Sequence, residues 1–547
     1  MASSSSISRD PAALFDRAMR WFCINERDSR WIRRAFVLAA VLCLIFIGAA
    51  ETGPINEYGH DIFVLLDGDW RILNGQVPYR DFYLSLGPLE YMITAFGMLL
   101  THGSTQGIAI GNAVFGAVVG IWGWLLSRRR MAAIPALLVT AWLILTATLP
   151  TPLGATPQTM SCAMIYNRHG YVLLGIVLVE CAFASERSRF RGGVSSGVAL
   201  VLMAFLKLNF FGAAALMLLA TAPLRREEMP RLWGFLLGLA CTVTAFALYL
   251  HFAISAFLYD MQLTIQARGS RLSLIGVMGG TAGNPRAVTL AILTLVTVLL
   301  TAQRGIWTRN AVRIILLAGV VIASEALFEQ TNAFDSGDVL ITLWVIIMLG
   351  VLTSTFQQSK ETVAIVAVIL LSMGGIIPEF VMDAESMKAL HHFQSASVRA
   401  QGFSINSDGM ERLKFYDNMR DYSPYHFDNG RFITGYVNDG LTLLRNSSTQ
   451  DERVLTLGYI NPFAYILRRK PALGGSPWLK MGDNFPQTRL LDASMIFGNA
   501  DLIMVANYQS SSQESDIALA AAYHSYLMQH FDFVASSQWW SLYRRKR

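Results

Sequence analysis

The stretch from Ile55 to Tyr91, INEYGHDIFVLLDGDWRILNGQVPYRDFYLSLGPLEY, carries Glu57, Asp61, Asp67, Asp69, Asp81 and Glu90 just after a long apolar segment. Carboxylates beside a bilayer are costly and persist where a site uses them or water reaches them. A positioned carboxylate can take a proton from a hydroxyl, a contribution of ~10²–10⁴-fold in rate. No other stretch between apolar segments ahead of the C-terminal region is as acidic. If residues 57–74 are helical, Glu57 and Asp61 share a face at i, i+4, while Ile62, Leu66, Trp70 and Leu73 form an apolar face. Asp61 then reads either as a general base facing a cavity or as a solvated interfacial charge. Asp67 and Arg71 have the spacing of a surface ion pair, and Asp67 and Asp69 read as solvated or paired. Gly75 ends the helix, Pro78 fixes the exit, and Asp81 caps or braces a turn that also holds Tyr79 and Arg80.

The elements that must position these groups are membrane helices. The chain has 547 residues, of which 53% are hydrophobic and only 15% charged, with mean hydropathy +0.41. A soluble protein would carry about 25% charged residues, and several runs here are long enough to span about 30 Å of hydrocarbon. The net charge of +6 comes from arginines clustered in short loops, where they set topology and do not point to nucleic acid. The five cysteines, Cys23, Cys43, Cys162, Cys181 and Cys241, show no metal-ligand spacing and imply no disulfide framework.

The N-terminal residues 1–34 lack a cleavable signal pattern and read as a cytoplasmic tail with a basic amphipathic helix. Arg27, Arg30, Arg33 and Arg34 hold the N-terminus inside and place the first outer loop, 52–104, outside. Within that loop PLEYMITAFGMLL is too short to cross comfortably and reads as a juxtamembrane helix. Spans are expected at about 35–51, 105–126, 131–149, 170–184, 194–206, 210–222, 232–254, 287–302, 314–328, 339–355 and 362–378. That makes about eleven, alternating so that every inner loop is basic. Residues 35–378 are thus a polytopic α-helical membrane domain, and 379–547 a soluble outer one. In the latter, RVLTLGY and DLIMVANY are strand-like, NPFAYILRRK and DIALAAAYHSYLMQHF have helical spacing, and DFVASSQWWSLYRRK reads as a closing strand or hairpin. This mixture predicts a small α/β domain.

An Asp just after the first span, fourteen residues before a Gly, then GQVPYRDF and a Gly-Pro followed by an aromatic, resembles the bacterial GT-C superfamily of glycosyltransferases. These integral membrane enzymes use polyprenyl-phosphate-linked sugars, as lipid A aminoarabinose transferases and protein O-mannosyltransferases do. The resemblance implies a GT-C-like fold in a bacterial inner membrane with a periplasmic C-terminal domain, and Asp61 as the catalytic carboxylate. It also implies an acceptor that is a lipid, a polysaccharide or a protein. The family's Asp-Glu pair is replaced here by Asp61-Ile62, and the loop Pro150–Gly170 holds neither Asp nor Glu. No cofactor is therefore expected, and a divalent metal is not supported by the sequence.

Such chemistry also needs positive charge for a lipid phosphate. Arg168 and His169 open a span in IYNRHGY and read as a phosphate contact or as an interfacial anchor with Tyr166 and Tyr171. Lys207 sits in a break, FLKLNFFG, which resembles a Lys-bearing break of the family; the other reading is snorkelling. Arg268 and Arg271 belong to a long outer loop that is either a lid over the donor or solvated. Glu325, Glu329, Asn332, Asp335 and Asp338 lie near an outer face, as sugar contacts or as a solvated loop. His391-His392 lacks a third ligand, and FITGYVNDG lacks the strand–glycine–helix context of a dinucleotide site. The expected activity is transfer of a sugar to an acceptor hydroxyl with inversion. The alternatives are a lipid-linked glycan flippase, disfavoured by the lack of internal repeats, and a non-catalytic scaffold, left open by the missing second carboxylate.

Overall fold

A computed structural model describes residues 30–50, 54–151, 160–183, 189–222, 228–268, 273, 285–301, 309–330, 339–355, 376–417, 429–507 and 514–547. The first part of the chain is almost wholly helical. Helix α1 (Arg30–Ala49) leads to the two-residue strand β1 (Pro54–Ile55), α2 (Asp61–Leu73) and α3 (Leu89–Leu100). There follow α4 (Gly107–Ser127), α5 (Ala133–Thr148), α6 (Ile165–Ala182), α7 (Arg189–Ala204), α8 (Leu208–Ala220) and α9 (Met229–Tyr249). Next come α10 (Ile254–Arg268), α11 (Pro285–Thr301), α12 (Arg309–Gln330), α13 (Val339–Thr355) and α14 (Ile376–Phe393).

Ten of the eleven stretches expected to span coincide with a helix; the eleventh, 362–378, lies mostly outside the described residues, as does the N-terminal amphipathic helix. Among the described residues α1, α4 and α9 are long and apolar enough to cross a membrane, and α3, α5, α8 and Val339–Val351 are apolar but shorter. Helix α1 turns Val37, Leu38, Val41, Leu42 and Ile45 outward, an apolar exposure suited to lipid. The breaks between helices are local. Lys207 has extended backbone between α7 and α8, and α7 and α9 meet through glycines, where a Cβ on Gly193 or Gly238 would overlap the facing backbone.

One boundary differs from expectation. Helix α2 starts at Asp61 and not at 57, because Tyr58 adopts positive φ (50°) and turns the chain. Glu57 therefore shares no helical face with Asp61. The composition change near 378 falls inside α14.

The C-terminal part contains α15 (Ala396–Arg399), β2 (Lys414–Phe415), α16 (Gly430–Ser447), β3 (Val454–Leu457) and α17 (Phe463–Ile466). It ends with α18 (Ala493–Phe497), β4 (Leu502–Ala506), α19 (Glu514–His530), β5 (Phe531–Ser536) and β6 (Trp540–Arg545). The sheet order is β3-β4-β6-β5, with β3 parallel to β4 and the other pairs antiparallel. Alternation along the strands sends Val454, Leu502 and Met504 to a core with Ile433 and Tyr436 of α16. It sends Leu455, Leu457, Ile503 and Val505 to the other face, against Leu519 and Tyr523 of α19. FITGYVNDG lies inside α16. Strand β1 pairs in parallel with β2, so the loop after α1 is hydrogen-bonded to the C-terminal part.

Candidate active site

Asp61 is the first residue of α2, where a carboxylate complements the helix dipole. It stands on the wall of a cavity of about 380 Å³ enclosed by α2, α3, the start of α6 and a loop of the C-terminal part. One carboxylate oxygen, Oδ1, lies 2.9 Å from Nε2 of His60. The other, Oδ2, accepts the Met164 backbone N–H at 3.3 Å, a long and weak bond. Met164, which precedes α6, is in the left-handed region (φ 52°).

The loop after β3 supplies the opposite wall: Tyr459, Trp478, Lys480 and Asp483 all line the cavity. Tyr459 stands just past the carboxyl end of β3, its N–H bonded to Asp516 at 2.8 Å. Its hydroxyl is 2.9 Å from the same His60 Nε2. Burial first, and the charge of Asp61 next, push the Tyr459 phenol well above its ordinary range, so it keeps its proton. Lys480 stands over the Tyr459 ring, 5.3 Å from its centroid, and pairs with Asp483 at 2.7 Å.

A further carboxylate, Glu90 of α3, lines the same cavity. It is fully buried, with Oε2 2.9 Å from His169 Nδ1, and its Oε1 has no hydrogen-bond partner among the described residues. Behind it Asp69 accepts the Thr94 hydroxyl at 2.7 Å. Burial outweighs that bond and, with the Glu90 charge adding to it, holds the Asp69 carboxyl well above the usual range. Asp69 is thus buried and is not solvated. Asp61 and Glu90, together with Asp483, put three carboxylates on one cavity whose lining also holds Lys480.

The rest of the acidic stretch faces the other way and clamps that loop. Arg71 and Asp67 form a fully buried pair at 2.7 Å, which corrects the expectation of a surface one. Arg71 also donates to the carbonyls of Ala472 (3.0 Å) and Gly474 (2.9 Å), and Asn461 donates to Asp67 at 2.9 Å. Gln76 donates to the carbonyls of Pro471 and Ala472, and Trp70 to that of Arg469. Further along, Tyr83 donates to the Asn484 carbonyl at 2.6 Å, and the Asn484 amide to Ser85 at 2.8 Å.

The other residues singled out from sequence fall as follows. Asp81 braces its turn, accepting from Val77 N–H and pairing with the exposed Arg80. Tyr79 is buried and donates to the Leu86 carbonyl at 2.8 Å. Glu57 is buried ahead of α2, and neither it, Tyr79, Arg80 nor Asp81 lines the cavity. Arg168 is buried and donates to the Ser161 carbonyl at 3.3 Å, while His169 supports Glu90. Lys207 donates to Asn167 at 2.8 Å and stands 5.0 Å from the centroid of Tyr166, the ring that does line the cavity. Lys207 is therefore one ring removed from it. The Gly-Pro motif docks on the break before Lys207: Gly87 N–H bonds the Leu206 carbonyl at 2.9 Å, and a Cβ on Gly87 would overlap the Phe205 carbonyl. Glu325 accepts from Leu340 N–H and the Tyr171 hydroxyl, tying α12 to α13 and α6. Arg271, Asn332, Asp335, Asp338 and the side chains of Arg268 and Glu329 lie outside the described residues.

Sequence reasoning missed His60, Tyr459, Trp478, Lys480 and Asp483, and gave Glu90 no role. The Lys480–Asp483 spacing in KMGD is an ordinary one, and nothing in it points to residue 61. Among the described residues no three His, Cys, Asp or Glu side chains come together as a metal ion would need.

No protein-family model and no curated protein matches the chain. Among solved structures, ArnT from Cupriavidus metallidurans in the apo state is similar over 95% of this chain and 98% of its own, at 12% identity and TM-score 0.43. The same protein bound to undecaprenyl phosphate is similar over 94% and 98%, at 12% identity and TM-score 0.41. The Archaeoglobus fulgidus oligosaccharyltransferase, in complex with Zn and sulfate, is similar over 64% of this chain and 53% of its own, at 13% identity and TM-score 0.37. Likenesses this distant assign nothing to individual residues.

Proposed function

We propose that this chain is an integral membrane glycosyltransferase of the GT-C kind, which moves a sugar from a polyprenyl-phosphate-linked donor to an acceptor hydroxyl. The observation that carries the reading is Asp61 on the wall of a polar cavity, one oxygen anchored by His60 and the other only weakly engaged. In the reaction the acceptor O–H gives its proton to Asp61, and the acceptor oxygen bonds to the anomeric carbon. The bond from that carbon to the phosphate oxygen breaks, its electron pair leaving with the phosphate. Attack from the far side inverts the configuration. The base contributes about 10²–10⁴-fold, and cations stabilise the departing charge.

Three carboxylates on the lining suit the glycosyl end of the donor better than its phosphate. The phosphate belongs at the edge toward Tyr166, where Lys207 and Arg168 lie behind the wall. Trp478 offers an apolar face to a sugar ring, and Lys480 and Asp483 offer groups for its hydroxyls. Glu90 and Asp483 on the same cavity lining as Asp61 weigh against a non-catalytic scaffold, which rested on the lack of a second carboxylate. In this reading the eleven spans lie in a bacterial inner membrane with the N-terminus cytoplasmic, and the cavity and C-terminal part face the periplasm.

The test is turnover. Purified full-length protein in nanodiscs is given a panel of undecaprenyl-phosphate-linked sugars with lipid, polysaccharide and protein acceptors, and product is followed by mass spectrometry. At least one donor is expected to yield undecaprenyl phosphate and a glycosylated acceptor in equal amounts. Movement of lipid-linked glycan across vesicles with no sugar leaving any donor would replace the transferase with a flippase.

A further inference from the structure

We infer that His60 and Tyr459 are positioning residues for Asp61, so that the C-terminal part of the chain completes the catalytic carboxylate's support and is not merely an acceptor-binding appendage. The inference rests on the transferase reading for its chemistry and on geometry for its evidence. A single imidazole nitrogen, Nε2 of His60, lies 2.9 Å from Asp61 Oδ1 and 2.9 Å from the Tyr459 hydroxyl. An ionised carboxylate accepts only, so the proton between them belongs to Nε2, which donates chiefly to Asp61. The phenol oxygen takes the weaker branch of that N–H. The tautomer and the orientation of the imidazole are thereby set by the carboxylate on one side and the phenol on the other.

The imidazole is also held by packing. The Tyr459 ring lies 4.7 Å from that of His60, and Tyr58 meets it edge-on at 6.2 Å. Tyr459 in turn is fixed by its N–H on Asp516, by Lys480 over its face and by Trp478 at 6.4 Å. Each of these groups comes from the C-terminal part, about 400 residues further along the chain. Among the described residues Asp61 has no other strong anchor: its second bond is the 3.3 Å contact from Met164. Without Nε2 in place, the carboxylate is free to rotate off its line to the acceptor, and a displacement near 1 Å costs on the order of 10²-fold in rate.

The experiment uses full-length Tyr459→Phe, His60→Ala and His60→Gln in nanodiscs, with the undecaprenyl-phosphate-linked sugar that the wild type turns over best. Tyr459→Phe keeps the ring and removes the hydroxyl; kcat is expected to fall about 10-fold with KM within twofold. His60→Ala should lose about 100-fold. His60→Gln, whose amide N–H reaches nearly as far as Nε2, should recover at least a tenth of wild-type turnover. Full activity of Tyr459→Phe, or equal losses for the two His60 variants, would overturn the inference and leave the parent reading standing. A second readout needs no turnover: cryo-EM of His60→Ala against wild type. The inference expects the Asp61 carboxylate to leave its place between His60 and Met164. An unmoved carboxylate would sink it, even if no donor in the panel proved to be a substrate and the transferase reading had already fallen.

Discussion

Arg71 offers the sharpest test of how the site is assembled. Its guanidinium is fully buried and donates to Asp67 at 2.7 Å, Gln76 at 3.1 Å and the carbonyls of Ala472 and Gly474. Arg71→Met keeps most of the stem volume and removes every donor. Stranding a buried partner carboxylate costs about 3–5 kcal/mol; Asn461 still bonds Asp67, which favours the lower end. Ala472 O retains Gln76, whereas Gly474 O loses a donor, at about 1–3 kcal/mol. These terms overlap, so about 4 kcal/mol is a fair total, or roughly 10³-fold in the opening equilibrium of the loop. Hydrogen exchange measured by mass spectrometry reads that equilibrium directly. The amides of Gly474 and Gly475, bonded to Asp81 and Met495, should lose protection by about 10²–10³-fold. The double variant Asp67→Leu with Arg71→Met should lose less than Arg71→Met alone, because no charge is left stranded. A loss below about 10-fold, or a double variant worse than the single one, would refute the clamp.

Three more outcomes follow from other groups. Burial raises Asp260, whose carboxylate accepts Leu84 N–H, to about 8 from an ordinary 3.8. An acid with a raised folded pKa stabilises the fold below its unfolded value and loses that contribution as pH rises to its folded one. Asp260→Asn should therefore match wild type near pH 4 and gain on it in melting temperature up to about pH 8. Trp478→Ala, which removes an aromatic face from the cavity, should raise the donor's KM by roughly 2- to 10-fold and leave kcat nearly unchanged. Lys207→Met should weaken binding of undecaprenyl phosphate to the protein in nanodiscs by about 10-fold or more, as read by thermophoresis.

Much of this framework was legible in the sequence for physical reasons. Long apolar runs and arginine-rich loops locate helices whatever their neighbours, and the acidic stretch stands out because carboxylates are rare beside such runs. The Lys207 break was visible because a charge interrupts an apolar pattern. Harder to see was the start of α2: Tyr58 at positive φ is held there by its surroundings, and a bulky residue gives no local sign of it. Asp67 and Arg71 have ordinary i, i+4 spacing, and only the carbonyls at 472 and 474 make theirs a buried pair. The far wall of the cavity was invisible for the same reason, since Tyr459 and Lys480 meet Asp61 through tertiary packing that no periodicity encodes.

The central claim is that Asp61 acts as the base in a donor-binding cavity. Its most direct measurement pairs single-turnover transfer with undecaprenyl phosphate binding, for wild type and Asp61→Asn in the same nanodisc preparation. Binding within threefold of wild type and turnover lowered about 10²–10⁴-fold is the predicted result. Wild-type turnover by Asp61→Asn would contradict it.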